Sequence, residues 1–92
     1  MTKLIVGYQP TFVRKLKKLP VVVIGEALEK IVQFHNPANH EQLRVHNKLK
    51  GQLKNKYSFS VTYSHRIIFE YIEDNSVMLI TIGDHSEYEK YS

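Results

Sequence analysis

The sequence predicts an α+β domain in which a strand and a helical hairpin come first and an antiparallel-rich sheet follows, in the order βααβββ. Three observations predict it. Apolar residues recur at helical spacing through 12–19 and again through 24–32. Tyr57, Phe59, Val61 and Tyr63 then alternate with Ser58, Ser60, Thr62 and Ser64, a period of two that only a strand explains. Two more apolar segments, 66–72 and 77–82, flank the polar turn Glu73-Asp74-Asn75-Ser76.

The elements can be justified in order. Segment 3–8 is short, apolar and partly β-branched, as a strand requires. Pro10 suits the first turn of a helix, and Phe12, Leu16 and Leu19 form its apolar stripe. Arg14, Lys15, Lys17 and Lys18 occupy the remaining surface, and Pro20 ends the segment. A second helix is expected over 22–35, with Ile24, Leu28, Ile31 and Val32 as its core stripe and Glu26, Glu29, Lys30 and Gln33 outside. Asn36-Pro37 stops it, and 38–42 is a polar loop. The two helices make an αα-hairpin that lays its apolar stripes on the sheet. Tyr63-Ser64-His65 turns the chain after the alternating strand, and 66–72 and 77–82 read as central strands because they are more continuously apolar.

A chain of 92 residues fits one domain, spanning 1–92. Such a domain buries about 60–65% of the surface its unfolded chain exposes. A shallow surface groove is therefore a more natural site than a deep cofactor pocket. There is no cysteine, hence no disulfide framework and no thiolate metal site. No apolar h-region follows Met1, and the run 77–82 is too short to span a bilayer. The expectation is a soluble, cytoplasmic protein with no membrane partner. Thirteen basic against nine acidic residues give a net charge of +4, which suits an anionic partner such as nucleic acid. Solubility alone accounts for such a charge equally well.

Some chemistries find no pattern here. Five histidines are present, but none are spaced His-x-His or His-x-x-x-His, and the four convergent ligands of a zinc site are not evident. P-loop, dinucleotide fingerprint and nucleophile elbow are all missing, so neither metal nor cofactor is expected. The basic run 14–18 reads as a solvated helix face, or as a grip on ribosomal RNA.

Three segments, taken in order, resemble the RelE/ParE superfamily of type II toxins, in particular its mRNA interferase branch of HigB-, YafQ- and RelE-like members. They are Lys48-Leu49-Lys50-Gly51; Tyr57-Ser58-Phe59-Ser60-Val61 leading into Tyr63-Ser64-His65-Arg66-Ile67-Ile68-Phe69; and Ile82-Gly83-Asp84-His85-Ser86-Glu87-Tyr88. The resemblance implies a compact toxin with a concave, basic sheet surface. Its partners would be a cognate antitoxin, the ribosome and mRNA in the ribosomal A site. The implied activity is a ribosome-dependent endoribonuclease that inhibits translation. In metal-free acid–base chemistry, the 2′-hydroxyl attacks the adjacent phosphate, leaving a cyclic or 3′-phosphate and a free 5′-hydroxyl.

That reaction needs a base, an acid and cations at the phosphoryl oxygens, and positioned acid–base groups typically contribute about 10²–10⁴-fold. Arg66 matches the family's arginine, opens a central strand and offers a planar fork to phosphate; a structural arginine paired with Glu70 or a terminal carboxylate is the plainer reading. His85 sits just past the last core strand, and its imidazole can act as acid or base near neutral pH. Tyr88 can stack on a base, assist proton transfer, or simply close the sheet edge. His46 lies near a histidine of YafQ-like members and is a second acid–base candidate. Lys48, Lys50 and Lys54 would track the phosphate backbone, and Tyr91 would contact RNA. RelE proper carries lysines on the strand that here holds Ser58 and Ser60, so the histidine-centred version is the nearer likeness. Two other readings share the fold: a ParE-like toxin acting on DNA gyrase without nuclease activity, and an inactive antitoxin-binding module.

Overall fold

Strands Ile5–Tyr8 (β1), Lys56–Ser60 (β2), His65–Glu73 (β3) and Ser76–Asp84 (β4) form one sheet of order β1-β4-β3-β2, with helices Pro10–Lys17 (α1) and Val21–Phe34 (α2) between β1 and β2. These are observed in a computed structural model, which describes residues 3–45 and 56–84. The βααβββ order is as the sequence predicts. β1 lies parallel to β4, while β2–β3 and β3–β4 are antiparallel. The helical hairpin carries the chain from β1 across to β2 at the opposite edge, and the antiparallel β2–β3–β4 run then brings β4 back beside β1 in the same direction.

Local chemistry sets the element boundaries. Pro10 occupies the first turn of α1, where its missing N–H has no helical partner to lose. Arg14, Lys15 and Lys17 crowd the last turn of α1, where cations complement the helix dipole. Pro20 caps the start of α2. At its other end Asn36 turns the chain, its side-chain oxygen accepting from the Ala38 N–H at 3.0 Å, and Pro37–Asn39 makes one 3₁₀ turn.

The core forms where the helices meet one face of the sheet. Phe12, Ala27, Ile31, Phe34, Phe59, Ile67, Phe69, Val77, Leu79 and Ile82 are buried together there. Phe34 is its hub, stacked on Phe59 at 4.3 Å and edge-on to Phe69 at 4.7 Å. Two histidines serve this core. His40 lies flat on Phe34 and donates from Nε2 to the Phe34 carbonyl at 3.0 Å; His35 donates from Nδ1 to the Leu4 carbonyl at 3.0 Å. Each joins α2 or its exit to a neighbouring segment.

The structure corrects the expected stripe of α2. Ile31 is buried as expected, but Leu28 is 52% and Val32 71% exposed, and Ala27 and Phe34 take the core positions instead. Leu28 and Val32 lie on the flank of the buried positions Ala27, Ile31 and Phe34, so valine and leucine there mimic a core stripe that the bulkier Phe34 wins. Tyr71 is 39% exposed near the end of β3.

Candidate functional site

The opposite face of the sheet gathers polar side chains around the buried Ile68, and its geometry follows from the β2–β3 register. Ser60 lies directly across from Arg66, Ser58 across from Ile68, and Lys56 across from Glu70. Alternation therefore puts Ser58, Ser60, Arg66, Ile68, Lys56 and Glu70 on one side, away from Phe59, Ile67 and Phe69. Lys56 and Glu70 form an ion pair. Glu70 is thereby paired on β2, and the other plain partner expected for Arg66, a terminal carboxylate, lies outside the described residues.

Arg66 is gripped along its guanidinium. Its Nε donates to Ser58 Oγ at 3.0 Å, Nη1 to Ser60 Oγ at 2.7 Å and Nη2 to the Arg44 carbonyl at 2.8 Å. Ser58 is wholly buried, while Arg66 remains partly exposed at the sheet surface. On β4 the residue opposite Arg66 is Gly83, which has no side chain to stand over the guanidinium. Beside this pair His65 faces Asp84, the last residue of β4.

The third contact depends on an unusual backbone. Arg44 has φ 55°, the left-handed region. The Val45 N–H bonds the His40 carbonyl at 3.2 Å and the Arg44 N–H bonds the Glu41 carbonyl at 3.1 Å. This pair of bonds is a Schellman-type closure, with Arg44 in the position that glycine usually takes. The turn brings residues 43–44 against the end of β2, where the Ser60 N–H bonds the Leu43 carbonyl at 2.8 Å and the Arg44 carbonyl meets Arg66.

The hairpin tip adds two features. The Thr62 hydroxyl lies 2.9 Å from His65 Nδ1 and accepts from the His65 backbone N–H at 3.1 Å, which orients the imidazole. Tyr63 is wholly solvent-exposed. At the far end of β3, burial, reinforced by the neighbouring Tyr57, pushes the Tyr71 phenol above its ordinary value.

Of the residues singled out in the sequence, Arg66 is thus placed at the polar face. His85, Tyr88, His46, Lys48, Lys50, Lys54 and Tyr91 lie outside the described residues. Among the described residues no group of three or more His, Asp or Glu side chains converges as metal ligands would. No described helix is long and apolar enough to cross a membrane. Arg14, Lys17 and Lys18 line an open surface groove together with Tyr8, Pro10 and Val13.

What the sequence reading missed is the use of Ser58 and Ser60. They registered only as departures from the family's lysines. The structure corrects the expected turn: β2 ends at Ser60 and β3 opens at His65, so the chain turns over 61–64 rather than 63–65, and this register sets Ser60 opposite Arg66 with Ser58 on the same side.

No protein-family model and no curated protein matches the chain. Solved structures do. The chain is similar to one from a RelB–RelE antitoxin–toxin complex of Methanococcus jannaschii, with TM-score 0.69 and 18% identity over 94% of this chain and 98% of that one. It is also similar to a chain of the toxin–antitoxin complex RelBE2 of Mycobacterium tuberculosis, with TM-score 0.63 and 23% identity over 91% and 100% of the two chains. A third likeness is to a YoeB–YefM complex of Staphylococcus aureus, with TM-score 0.68 and 18% identity over 91% and 99%.

Proposed function

From a chain that has the fold of RelE/ParE superfamily toxins, we propose that the protein is the toxin of a type II toxin–antitoxin system, acting as a ribosome-dependent mRNA endoribonuclease. The observation that carries this reading is Arg66, fixed on the polar side of the sheet by Ser58, Ser60 and the Arg44 carbonyl. A guanidinium held in one orientation is a preorganised cation for the phosphoryl oxygens, which gain negative charge as the 2′-oxygen attacks. The 2′-oxygen bonds to phosphorus as a base removes its proton; the bond to the 5′-oxygen breaks as an acid protonates it. A 2′,3′-cyclic phosphate and a 5′-hydroxyl result.

His85 and Tyr88 are the acid–base candidates. His85 follows Asp84 in the chain, and Asp84 is the strand partner of His65, the neighbour of Arg66. His46 is a further candidate for proton transfer, while Lys48, Lys50, Lys54 and Tyr91 would hold the RNA. The partners in this reading are the ribosome with mRNA in its A site and a cognate antitoxin, in a cytoplasmic setting. The neighbouring structures that carry both toxin and antitoxin support the antitoxin.

Primer extension on a translated mRNA tests the reading, with and without ribosomes, for wild type, Arg66→Ala and His85→Gln. We expect cuts within codons that require ribosomes and fall at least about 10²-fold in each variant. A wild type that arrests growth yet cuts no mRNA would replace this reading with the gyrase-directed one. Neither cutting nor arrest would leave an antitoxin-binding module.

A further inference from the structure

We infer that Ser58 and Ser60 are positioning residues for Arg66, replacing the role of charge on this strand with a hydroxyl clamp; this inference rests on the cleavage reading given above. Neither serine can carry a positive charge or act as a cationic base. Each offers one short oxygen acceptor, and the register sets the two oxygens one β-repeat apart on the strand facing Arg66. The guanidinium spans that interval, Nε on Ser58 and Nη1 on Ser60, while Nη2 reaches the Arg44 carbonyl. Three acceptors around one planar group fix both its position and its rotation about the side-chain axis.

The placement of each acceptor shows that the clamp is built into the fold. Ser58 is wholly buried, so its oxygen has no exchanging solvent to compete for the Nε–H. The Arg44 carbonyl is aimed by a left-handed residue that glycine would occupy more easily. An arginine side chain otherwise samples many rotamers, and ordering it at the moment of reaction would cost side-chain entropy. The clamp meets that requirement during folding. One cation with a fixed direction then does at the phosphate what several mobile lysines would do by charge alone.

The test joins kinetics to spectroscopy. In single-turnover cleavage on programmed ribosomes, Ser60→Ala and Ser58→Ala should each lower kcat about 10–100-fold with KM nearly unchanged, since ångström-scale misplacement carries a cost of that order. Ser60→Thr, which keeps the hydroxyl, should retain most of the rate. In an Arg66→Lys background, Ser60→Ala should cost no more than about two-fold, because a residue that acts through Arg66 loses its effect with it. In solution NMR of the full chain, the Arg66 Nε–H should exchange slowly with water in the wild type and rapidly in Ser58→Ala.

Equal losses from Ser60→Ala in the wild-type and Arg66→Lys backgrounds would overturn the inference. So would a Ser60→Thr variant as slow as Ser60→Ala, or an Nε–H exchange rate indifferent to Ser58. If the wild type cuts nothing, the cleavage reading fails by itself. The exchange measurement then decides the clamp alone, and rapid exchange in the wild type rejects it.

Discussion

On the helix side of β3, Ile67 and Phe69 are wholly buried in a cluster of aromatic and aliphatic side chains; on its other side, Arg66 and Glu70 are each held by a polar partner on β2. The same two strands therefore follow two rules on their two faces. The first face is specified by volume: what matters at each position is an apolar shape that fills the space beneath the helices. The second is specified by direction, because a hydrogen bond rewards a particular atom at a particular distance. A residue on the first face can be exchanged for another of like size. On the second, an exchange that takes away the bonding atom removes the contact that placed it there.

The sharpest way to break the comparison is at the hub of the first face. Phe34 is fully buried and touches Phe59, Phe69 and the His40 ring. Phe34→Ala should destabilise the fold by about 3–5 kcal/mol, the usual cost of deleting a buried aromatic. Urea unfolding of the two proteins measures it. A loss below about 1 kcal/mol would mean that α2 repacks over the gap and that volume does not govern this face.

The sequence discloses these two rules unequally. The fold was legible because period-two alternation, helical stripes, Pro10, Pro20 and Asn36-Pro37 each act locally, within one element. Leu28 and Val32 misled because two apolar stripes compete on α2, and only the packed partner, Phe34 against Phe59 and Phe69, decides which is buried. Arg66 was legible through its family motif, but its holders were not. Ser58 and Ser60 become meaningful only through cross-strand register, and the Arg44 carbonyl through a backbone turn 22 residues away in sequence. Directional contacts between distant segments leave little trace in composition or spacing.

A second prediction sharpens the contrast from within the polar face. Thr81 stands opposite Ile68 beside the irregularity in the β3–β4 pairing, is wholly buried, and its hydroxyl has no hydrogen-bond partner among the described residues. A buried hydroxyl without a partner costs about 1–3 kcal/mol, and valine has nearly the same shape. Thr81→Val should therefore raise stability by about 1 kcal/mol in urea unfolding. A loss of similar size would show that the hydroxyl is bonded in solution and that direction, not volume, rules at this position as it does at Ser58.

The smallest expected effect lies in the turn that serves the clamp. Arg44 holds a left-handed backbone at φ 55°, closing the turn with bonds from Val45 to His40 and from Arg44 to Glu41. For a residue with a Cβ this conformation costs about 1–2 kcal/mol, and glycine avoids that cost while losing more chain entropy on folding. The difference favours Arg44→Gly by about 0.5–1 kcal/mol, read as a rise in the urea midpoint at unchanged slope. No gain would mean that the Arg44 side chain makes contacts that offset its strain. A gain would identify the turn as a place where the native sequence tolerates strain beside the site, the signature expected where a backbone carbonyl must point at Arg66.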